Sequence, residues 1–523
     1  MMRVISTNQM RALEENSEFL GVSRLTLMEN AGRAVANCLV TKYENLSKIR
    51  VLVVAGPGNN GGDGFVAARH LACRGAHVDV IILAKPEQIR TREARKNFDI
   101  INNMMMSIHI YKATSVDKLR KLRDLFNSAN VIIDAILGTG IKGIVREPLF
   151  TAIEMINSSN AFKVAVDVPS GLNSDTGEVH GVAVKADITI TFHAAKKGLL
   201  LESAKEYVGE LVVADIGIPR EAEMIVGPGD VKPLIKPRDP WSKKGDFGRV
   251  LVIGGSSEYS GAPALAALAS LRTGADLVIV ATPSSVANVI RSFSPNIIVR
   301  SLSGDFLNIK HLERLIDLTA RATSVVIGPG LGLEEETIEV VNEYVEKVSD
   351  KVKLVIDADA LKAISREINV VKRRKVILTP HAGEFRILTQ VALSKDIEDR
   401  RRSVMDAASK LKVVLLVKGH YDVISDGSRV KVNVTGNPSM TVGGTGDILS
   451  GILATLASWS DDLFQVACAG AFINGLAGDL ASKELGNHII ATDLLEFIPR
   501  VFKILGEKRV LSRGYSMLER SLE

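Results

Sequence analysis

Residues 51–65 read VLVVAGPGNNGGDGF, an apolar run followed directly by a glycine-rich stretch. The apolar run has the length and β-branched composition of a buried strand, and the glycines allow a close approach to the backbone. In an open parallel sheet such a loop lies at the carboxyl edge, where ligands bind. We expect a helix to begin near Asp63 or Gly64 and to present its N–H groups and positive dipole end to a phosphate. A tight turn that only caps this helix is the alternative.

Short apolar runs alternate with amphipathic helices along the rest of the chain. Strands are predicted at IRVLVVAG, HVDVIIL, NVIIDAILG and KVAVDVPSG, and again from GRVLVIGG through TSVVIGPGLG and KVILTPHAGE to VVLLVKG. This alternation predicts parallel sheets covered by helices on both faces. Residues 227–246 contain four prolines and no periodic pattern, and we place a linker there. The fold class predicted is therefore α/β, with two three-layer αβα domains at 1–226 and 247–505 and a charged tail at 506–523.

Composition excludes several classes of function. The 523 residues carry a formal net charge of only +5, whereas nucleic-acid binders concentrate basic charge on one face, so we expect no nucleic-acid partner. The three cysteines are far apart and show no CxxC spacing, which argues against a disulfide framework or a structural zinc site and favours the cytoplasm. We find no apolar run of the roughly 18 residues that a membrane span needs, and expect no membrane partner.

Two aspartates end strands that should lie beside the first glycine-rich loop. Asp134 ends VIID before AILGTGIKG, and Asp167 ends VAVD before VPSGL. One such aspartate often only braces a loop, but two at the edge that carries the glycines favour a site. The oxygen atoms of Asn60, Asp134 and Ser170 suit a monovalent or divalent cation, and Asp167 is the candidate for proton transfer.

A second glycine-rich motif, GGTGD at residues 443–447, opens the helical run ILSGILATLA. The N–H groups of Gly444 to Gly446 at a helix start form an anion hole. An aspartate in that position is electrostatically costly, and Asp447 is suited to take a proton from a hydroxyl while a phosphoryl group is transferred. The alternative is an ordinary N-cap, since aspartate is favoured there.

Other strand ends of the same predicted domain carry further candidates. Lys418 and Gly419 end the strand VVLLV, where a nucleotide contact is natural, and GPGLG at 328–332 ends another strand. His381, after KVILTP, is by itself more typical of a structural histidine. Asp357 and Asp359 in DADAL either hold Mg²⁺ through water or brace the sheet edge, and the sequence favours neither reading.

The motifs NNGGDG, DAILGTGIKG and DVPSGL, in this order, resemble the epimerase domain of the bifunctional NAD(P)H-hydrate repair enzymes. The resemblance implies a Rossmann-like domain that interconverts the R and S forms of NADH or NADPH hydrated at C6 of the nicotinamide ring. TFHAAKKGLL resembles that family's TFxxxKPGL, with Lys197 in place of the usual proline. K⁺ would be bound by Asn60, Asp134 and Ser170. The hydrated dinucleotide would contact Asn60, Gly61, Gly62, Asp63, Gly64, Gly138, Thr139, Gly140, Ile141, Lys142, Gly143 and Asp167, the last lying by the nicotinamide.

GTGD before a helix resembles the ribokinase-like superfamily, and the order of YSGAPALAALAS, GPGLG, TPHAGE, VKG and GNPSMTVGGTGD resembles the ADP- or ATP-dependent NAD(P)H-hydrate dehydratases. Ala382 stands at the proline of the usual TPHPGE. The resemblance implies phosphorylation of the C6 hydroxyl of the S hydrate and elimination of phosphate, with Mg²⁺ and ADP or ATP. The hydrate would contact Ala262, Gly330, His381 and the catalytic Asp447. The nucleotide would contact Lys418, Gly419, His420, Tyr421, Asp422, Gly443, Gly444, Thr445 and Gly446.

The resemblance covers nearly the whole chain and implies the hydrates NADHX and NADPHX as small-molecule substrates. We also expect a homo-oligomer, because paired helices in each domain could bury a symmetric interface. Three alternatives stay open at this point. The carboxy-terminal domain is alternatively a small-molecule alcohol kinase, since GTGD serves the same first chemical step there. The amino-terminal domain is alternatively a non-catalytic nucleotide-binding module or an oligomerisation platform.

Overall fold

The computed structural model describes residues 3–141, 143–372 and 374–506. The chain divides between Pro219 and Arg220 into two compact units. The predicted tail, apart from Gly506, and the predicted site residue Lys142 lie outside the described residues.

The amino-terminal unit alternates strands and helices as the sequence predicts. Its strands are β1 (Val4–Ile5), β2 (Arg50–Ala55), β3 (His77–Ile82), β4 (Ile108–Lys112), β5 (Val131–Ala135), β6 (Phe162–Val166), β7 (Ile188–Phe192), β8 (Ala195–Lys196) and β9 (Glu210–Ala214). Its helices are α1 (Thr7–Phe19), α2 (Arg24–Lys42), α3 (Asn59–Ala72), α4 (Arg92–Asn102), α5 (Val116–Arg120), α6 (Arg123–Ser128), α7 (Leu149–Ser158) and α8 (Lys205–Val208).

The main sheet of this unit is parallel throughout, in the order β4-β3-β2-β5-β6-β7-β9. The first strand of the sheet, β2, therefore lies inside it, and the strand order reverses between β2 and β5. This is the doubly wound Rossmann arrangement, in which ligands bind at the reversal point. Leu52 and Val54 pack with α7 on one face, while Val53 lies under α3 on the other, so the strands are apolar on both faces.

Helix α3 begins four residues earlier than predicted, at Asn59 rather than near Asp63 or Gly64. Glycine is a poor helix former, which is why the sequence pattern suggested a loop here. The structure shows what the glycines do instead. A Cβ atom at Gly61 would lie 2.0 Å from the carbonyl oxygen of Gly56, and one at Gly64 would lie 2.5 Å from Ala135 Cβ. These glycines let the first turn of α3 pack against the strand ends.

The boundary between the units falls earlier than the linker predicted at 227–246. Residues from Arg220 onward already belong to the second unit. Contacts with the strand Val430–Asn433 attach this segment to the second unit, and its proline-rich composition gives no sign of them. Ile225 pairs with Val432, and Lys431 Nζ lies 2.6 Å from Asp230 Oδ1. The segment that follows, up to Asp246, includes the irregular and exposed residues around Trp241.

The second unit repeats the alternation with more strands. They are β10 (Arg249–Ile253), β11 (Leu277–Pro283), β12 (Ile298–Leu302), β13 (Ser324–Ile327), β14 (Lys353–Ile356), β15 (Lys375–Leu378), β16 (Val414–Val417), β17 (Asp422–Ser425) and β18 (Val430–Asn433). The helices are α9 (Glu221–Met224), α10 (Pro228–Val231), α11 (Gly261–Thr273), α12 (Ser284–Phe293), α13 (Leu312–Thr319), α14 (Glu335–Lys347), α15 (Asp359–Ile364), α16 (Ala382–Thr389), α17 (Ile397–Leu411), α18 (Thr445–Ala457), α19 (Leu463–Leu485) and α20 (Ala491–Gly506).

The sheet of the second unit has the order β12-β11-β10-β13-β14-β15-β16-β17-β18. It is parallel up to β16, and β17 and β18 are antiparallel, which the simple alternation did not predict. Strand order again reverses beside the first strand, between β10 and β13. One face is covered by α13, α14 and α17, and α11, α18, α19 and α20 pack together on the other. Both units are therefore three-layer αβα structures, as predicted.

Helix α19 corrects one sequence-based expectation. By length and composition alone it is apolar enough to cross a membrane, with a mean hydropathy of 1.3 over 18 residues. In the structure 83% of that window is buried. The helix packs against α18, α20 and the last four strands of the sheet, and its apolar residues form the interior of the unit.

Candidate active sites

A cavity of about 690 Å³ opens where the strand order of the first unit reverses, a volume typical of small-molecule sites. Helix α1 contributes one wall with Met10, Arg11 and Glu14. The remaining walls contain most of the residues that the sequence assigned to the dinucleotide site: Asn60, Asp63, Gly138, Thr139, Gly140, Ile141 and Asp167.

Some of the predicted residues are not in this lining. Gly61, Gly62 and Gly64 point into the protein, and a Cβ atom at Gly62 would lie 2.6 Å from Met28 Sδ. Gly58 and Asn59, just before them, do line the cavity. The cavity lining therefore includes the turn before the helix, which the prediction did not name. Gly143 adopts a left-handed conformation with φ of 70° and is not part of the lining.

The three predicted cation ligands lie together under the cavity floor. Asp134 and Ser170 are fully buried and Asn60 is 8% exposed. Ser170 donates to Asp134 Oδ1 at 2.5 Å and to the Leu137 carbonyl at 3.1 Å, and Asn60 Nδ2 donates to the same carbonyl at 3.0 Å. Burial raises the pKa of Asp134 to about 6, although hydrogen bonds from Ser170 and Ile136 lower it.

The oxygen atoms of this cluster suit a hard cation. Within residues 3–141, 143–372 and 374–506, no lysine, arginine or histidine pairs with the buried Asp134 carboxylate. A buried carboxylate without a countercharge is unfavourable, and carboxylate, hydroxyl and carbonyl oxygens are ligands of hard cations. K⁺ bound by Asp134, Ser170 and Asn60 would supply the missing charge and fix the turn that follows β5.

Asp167 lies in the cavity in a strained conformation. Its φ is 65°, which is uncommon for a residue other than glycine and costs on the order of 1–3 kcal/mol. Lys196 holds it there: the ammonium group is fully buried, lies 2.5 Å from Asp167 Oδ1, and also donates to Thr191 Oγ1 and the Phe192 carbonyl. Sequence reasoning missed Lys196, although it stands at the lysine of the TFxxxKPGL pattern.

In the second unit Asp447 lies in the first turn of α18, after the left-handed Gly444 that caps the helix. Burial, followed by the charge of Asp357, raises the pKa of Asp447 to about 7, while Lys418 lowers it. An N-cap aspartate would be expected to show a low pKa and a hydrogen bond to the helix start. Within the described ranges no hydrogen bond to the Asp447 carboxylate is found, so its position favours the proton-transfer reading.

Lys418 lies next to this helix start. A Cβ atom added at Gly446 would be 3.4 Å from Lys418 Nζ. The same ammonium donates to Asp357 Oδ1 at 2.8 Å, and Ser450 donates to Asp357 Oδ2 at 2.5 Å. Although burial opposes ionisation, Lys418 and Ser450 lower the pKa of Asp357. The site thus places one ammonium group beside an anion hole.

Both Asp357 oxygens are engaged by protein donors, and Asp359 pairs with Lys362 and the Gly332 N–H. Among the described residues no group of three histidine, cysteine or acidic side chains is arranged for a metal ion. Both aspartates therefore brace the sheet edge through these hydrogen bonds. Mg²⁺ in such a site is carried mainly by nucleotide phosphates.

His381 caps a helix with a side chain that is partly exposed to solvent. It caps α16, and its Nδ1 accepts hydrogen bonds from the N–H groups of Gly383 at 3.0 Å and Glu384 at 3.2 Å. Nδ1 is thus an acceptor, and the other nitrogen, Nε2, lies 3.5 Å from Glu384 Oε1 on a side chain that is 58% exposed. The backbone of His381 pairs with that of Lys418, so the histidine lies at the same sheet edge as the ammonium group.

The other predicted residues of this unit lie in three places. Gly330 is left-handed, with φ of 65°, and a Cβ there would lie 3.5 Å from Ala262 Cβ and 2.7 Å from Tyr259 Cβ. The loop Gly419–Tyr421 is held by Asp422, which accepts from the Gly419 N–H at 3.1 Å and from Asn433 at 3.0 Å. Gly443 and Thr445 flank the Gly444 cap. Asp422 therefore positions the loop, and all three loop residues, Gly419, His420 and Tyr421, are exposed.

Comparison with known proteins follows the same division of the chain. Residues 24–198 match the family described as YjeF-related protein N-terminus, and residues 250–500 match the family described as NAD(P)H-hydrate dehydratase. A bifunctional NAD(P)H-hydrate repair enzyme of Pyrobaculum aerophilum is 51% identical over 502 residues, which cover 96% of this chain and 98% of the relative. One of Methanothermobacter thermautotrophicus is 46% identical over 497 residues, covering 94% of each chain.

Among solved structures, the ADP/ATP-dependent NAD(P)H-hydrate dehydratase of Bacillus subtilis, co-crystallised with ATP and Mg²⁺, is 27% identical. It covers 54% of this chain and 98% of its own, with a TM-score of 0.47.

Proposed function

This chain belongs to the family of bifunctional NAD(P)H-hydrate repair enzymes, and we propose on that premise that each unit carries out one step of the repair. The first unit interconverts the R and S hydrates of NADH and NADPH. The second unit dehydrates the S hydrate at the expense of ADP or ATP. The two steps belong together because spontaneous hydration gives both epimers, and a dehydratase specific for S would leave R unrepaired.

The observation that carries the dehydratase proposal is the position of Asp447, ionisable near neutrality at the start of α18 and beside the Lys418 ammonium. Asp447 removes the proton from the C6 hydroxyl as its oxygen attacks the terminal phosphoryl group of the nucleotide. The N–H groups of residues 444–446 and Lys418 hold the phosphoryl oxygens. The C6–O bond then breaks with loss of phosphate, a proton leaves C5, and the C5=C6 double bond of the dihydropyridine is restored.

The remaining predicted contacts complete the proposal. Gly330, Ala262 and His381 would contact the hydrated nicotinamide, and the loop Gly419–Asp422 would contact the nucleotide. The orientation of Lys418 towards Gly446 and Asp357 supports a phosphate contact for this residue rather than an adenine contact. An alcohol kinase, the alternative reading of GGTGD, is not favoured, because the relatives match both units in the same order.

In the first unit the proposal rests on the cavity at the strand-order reversal and on the fixed Asp167 carboxylate in it. The turn at Gly58–Asn60 and the Gly138–Ile141 loop hold the dinucleotide. Epimerisation at C6 passes through a cationic carbon next to the ring nitrogen, and the ion-paired Asp167 is positioned to stabilise that charge. Bound K⁺ supplies electrostatic neutralisation at Asp134. A cytoplasmic location and a homo-oligomeric state stay predictions.

Potassium is expected to stabilise the first unit and support its epimerase activity. Because the pKa of Asp134 is raised to about 6, its ionised form destabilises the fold, and this loss develops as the pH rises from about 4 through 6. K⁺ should offset the loss at pH 8 and have little effect at pH 4. Thermal unfolding with KCl against LiCl at equal ionic strength measures this, with Asp134→Asn as the variant that should no longer respond. Equal unfolding temperatures in both salts at pH 8 would contradict it.

Separate substrates test the proposed function. Purified R and S hydrates of NADH are each incubated with and without ADP or ATP, and the products are separated by chromatography. The S hydrate should give NADH only with nucleotide, and the R hydrate should give S without nucleotide. A stable phosphorylated product would support a kinase instead, and binding of the R hydrate without conversion would reduce the first unit to a binding module.

A further inference from the structure

Three carboxylates from different elements of the first unit line its cavity close enough to influence one another's charge. Glu14 from α1, Asp63 from α3 and Asp167 after β6 all line it. The buried Lys196 is committed to Asp167, with its other hydrogens donated to Thr191 and the Phe192 carbonyl. Within residues 3–141, 143–372 and 374–506, no hydrogen bond to the side chain of Glu14 or Asp63 is found.

The neighbouring arginines do not neutralise this cluster fully. Arg24 lines the cavity, but its guanidinium is bonded to Glu15 and to Glu18. Arg11, which also lines the cavity, is exposed to solvent. Three acidic groups therefore face one committed ammonium group, and like charges close together in a desolvated site do not all ionise.

The direction of the acidities agrees with this charge count. Burial, followed by the charges of Asp167 and Glu14, raises the pKa of Asp63 well above its usual range, although Lys196 lowers it. Burial also raises the pKa of Glu14; Arg24 is the main opposing charge, Lys196 and Arg11 lower the pKa further, and Asp167 raises it. The cluster thus holds a proton more tightly than isolated carboxyl groups would, and does so at the wall of the cavity.

We propose that Glu14 and Asp63 are the acid and the base of the epimerisation and exchange one proton across the C6 carbon of the bound hydrate. The proposal rests on the epimerase function proposed above. Asp167 is less suited to this task, because three donors, Lys196, Thr191 and the Phe192 N–H, and a backbone held at φ 65° fix it as the counter-anion.

The step balances as follows. The protonated carboxyl gives its proton to the C6 hydroxyl, the C6–O bond breaks, and water leaves with its electron pair while the ring nitrogen lone pair forms an iminium cation. A water molecule then adds to the opposite face of C6 and gives a proton to the second carboxylate. The product is the other epimer, and the proton has moved from one carboxyl to the other. The pair can then run the reaction in reverse, as reversible epimerisation requires.

Two variants of the full-length protein, Asp63→Asn and Glu14→Gln, test this assignment. Conversion of the R hydrate to the S hydrate is followed by chromatography without nucleotide, from pH 5 to pH 9. Each variant should lower kcat by about 100-fold or more, the usual contribution of a general acid or base, with a smaller change in KM. The wild-type profile of kcat should be bell-shaped, and each variant should lose one limb of it.

Glu154→Gln is the matched control, since Glu154 is an exposed carboxylate on α7 of the same unit, and it should behave as the wild type. Removing one charge from a like-charged cluster should keep or raise the unfolding temperature, so a stable but inactive Asp63→Asn protein separates catalysis from folding. Wild-type rates in both Asp63→Asn and Glu14→Gln would overturn the proposal. Wild-type protein that fails to convert R to S would instead remove the epimerase function itself.

Isotope labelling tests the bond that breaks. In H₂¹⁸O each epimerisation should place one solvent oxygen at C6. The original oxygen leaves as water from one face, and a water molecule from the solvent adds to the opposite face. Retention of the original oxygen through complete epimerisation would show that C6–O is not cleaved, and would overturn the two-carboxyl step.

Discussion

The variant Asp447→Asn is expected to lose nucleotide-dependent recovery of NADH from the S hydrate by about 100- to 10,000-fold, the range for loss of a general base. Asparagine keeps the size of the side chain but cannot accept the hydroxyl proton. The N–H groups at the start of α18 and the Lys418 ammonium are untouched, so nucleotide binding should change little. The rate of NADH formation, read from its near-ultraviolet absorbance, measures the loss. R-to-S conversion by the same variant should equal that of the wild type.

The pH dependence of the wild-type enzyme provides an independent check. Asp447 acts as a base only when ionised, and its pKa is raised to about 7, so kcat/KM for dehydration should rise with pH and level off above about 7. The ionised form is also the less stable one, so at pH 8 the Asp447→Asn protein should unfold at the same or a higher temperature. Asp317→Asn, an exposed aspartate on α13, is the control. Dehydration at the wild-type rate by Asp447→Asn would exclude this residue as the base.

Lys196→Met is expected to destabilise the first unit by about 3–5 kcal/mol, because it leaves the largely buried Asp167 carboxylate without its partner. Glu14 and Asp63 lie close enough to raise the penalty further. Epimerase activity should fall with it, since Asp167 would no longer be held in its strained conformation. Hydrogen exchange of the amides in β7 reports unfolding of this unit specifically, and dehydration by the second unit should continue.

A double variant distinguishes loss of the ion pair from loss of packing. Asp167→Asn with Lys196→Met removes both charges, so its destabilisation should be smaller than the sum of the two single variants. Lys185→Met is the matched control, because Lys185 and its partner Glu206 are 54% and 60% exposed and such pairs contribute about 0–1 kcal/mol. Unchanged exchange in Lys196→Met would contradict the account of this pair.

The sheet strands were predictable from sequence because both sheets are covered on both faces. Runs such as VLVVA and VVLLV are apolar at every position, and buried parallel strands are the structures that need this. The antiparallel end of the second sheet was not predictable, because a short strand reads the same in either direction.

Site residues were predictable where an ionisable side chain stands at the end of a strand. Asp134 and Asp167 are examples, and the structure places both of them beside a glycine-bearing turn. Glycine itself was the weaker guide. Gly61, Gly62 and Gly64 serve helix packing, and sequence cannot tell a close approach of a ligand from a close approach of the protein's own backbone.

The residues that sequence reasoning missed come from elements remote along the chain. Glu14 lies in α1, whose capping box and periodicity identify it only as a helix. Lys196 is one of two adjacent lysines, and lysine side chains are ordinarily exposed. Its full burial is seen only in the structure, where it lies in β8. The role of such a charged residue depends on the groups that it contacts, and these contacts are known only from the folded structure.

The most direct test of the account uses an equal mixture of the R and S hydrates of NADH with Mg²⁺ and K⁺, and follows NADH recovery with ADP, with ATP and with neither. The account predicts complete recovery with a nucleotide and none without it, in a fast phase for the S share and a slower phase for the R share. A contradicting result would be fast recovery of only half of the substrate, followed by recovery no faster than spontaneous epimerisation. That result would show that this one chain does not repair both epimers.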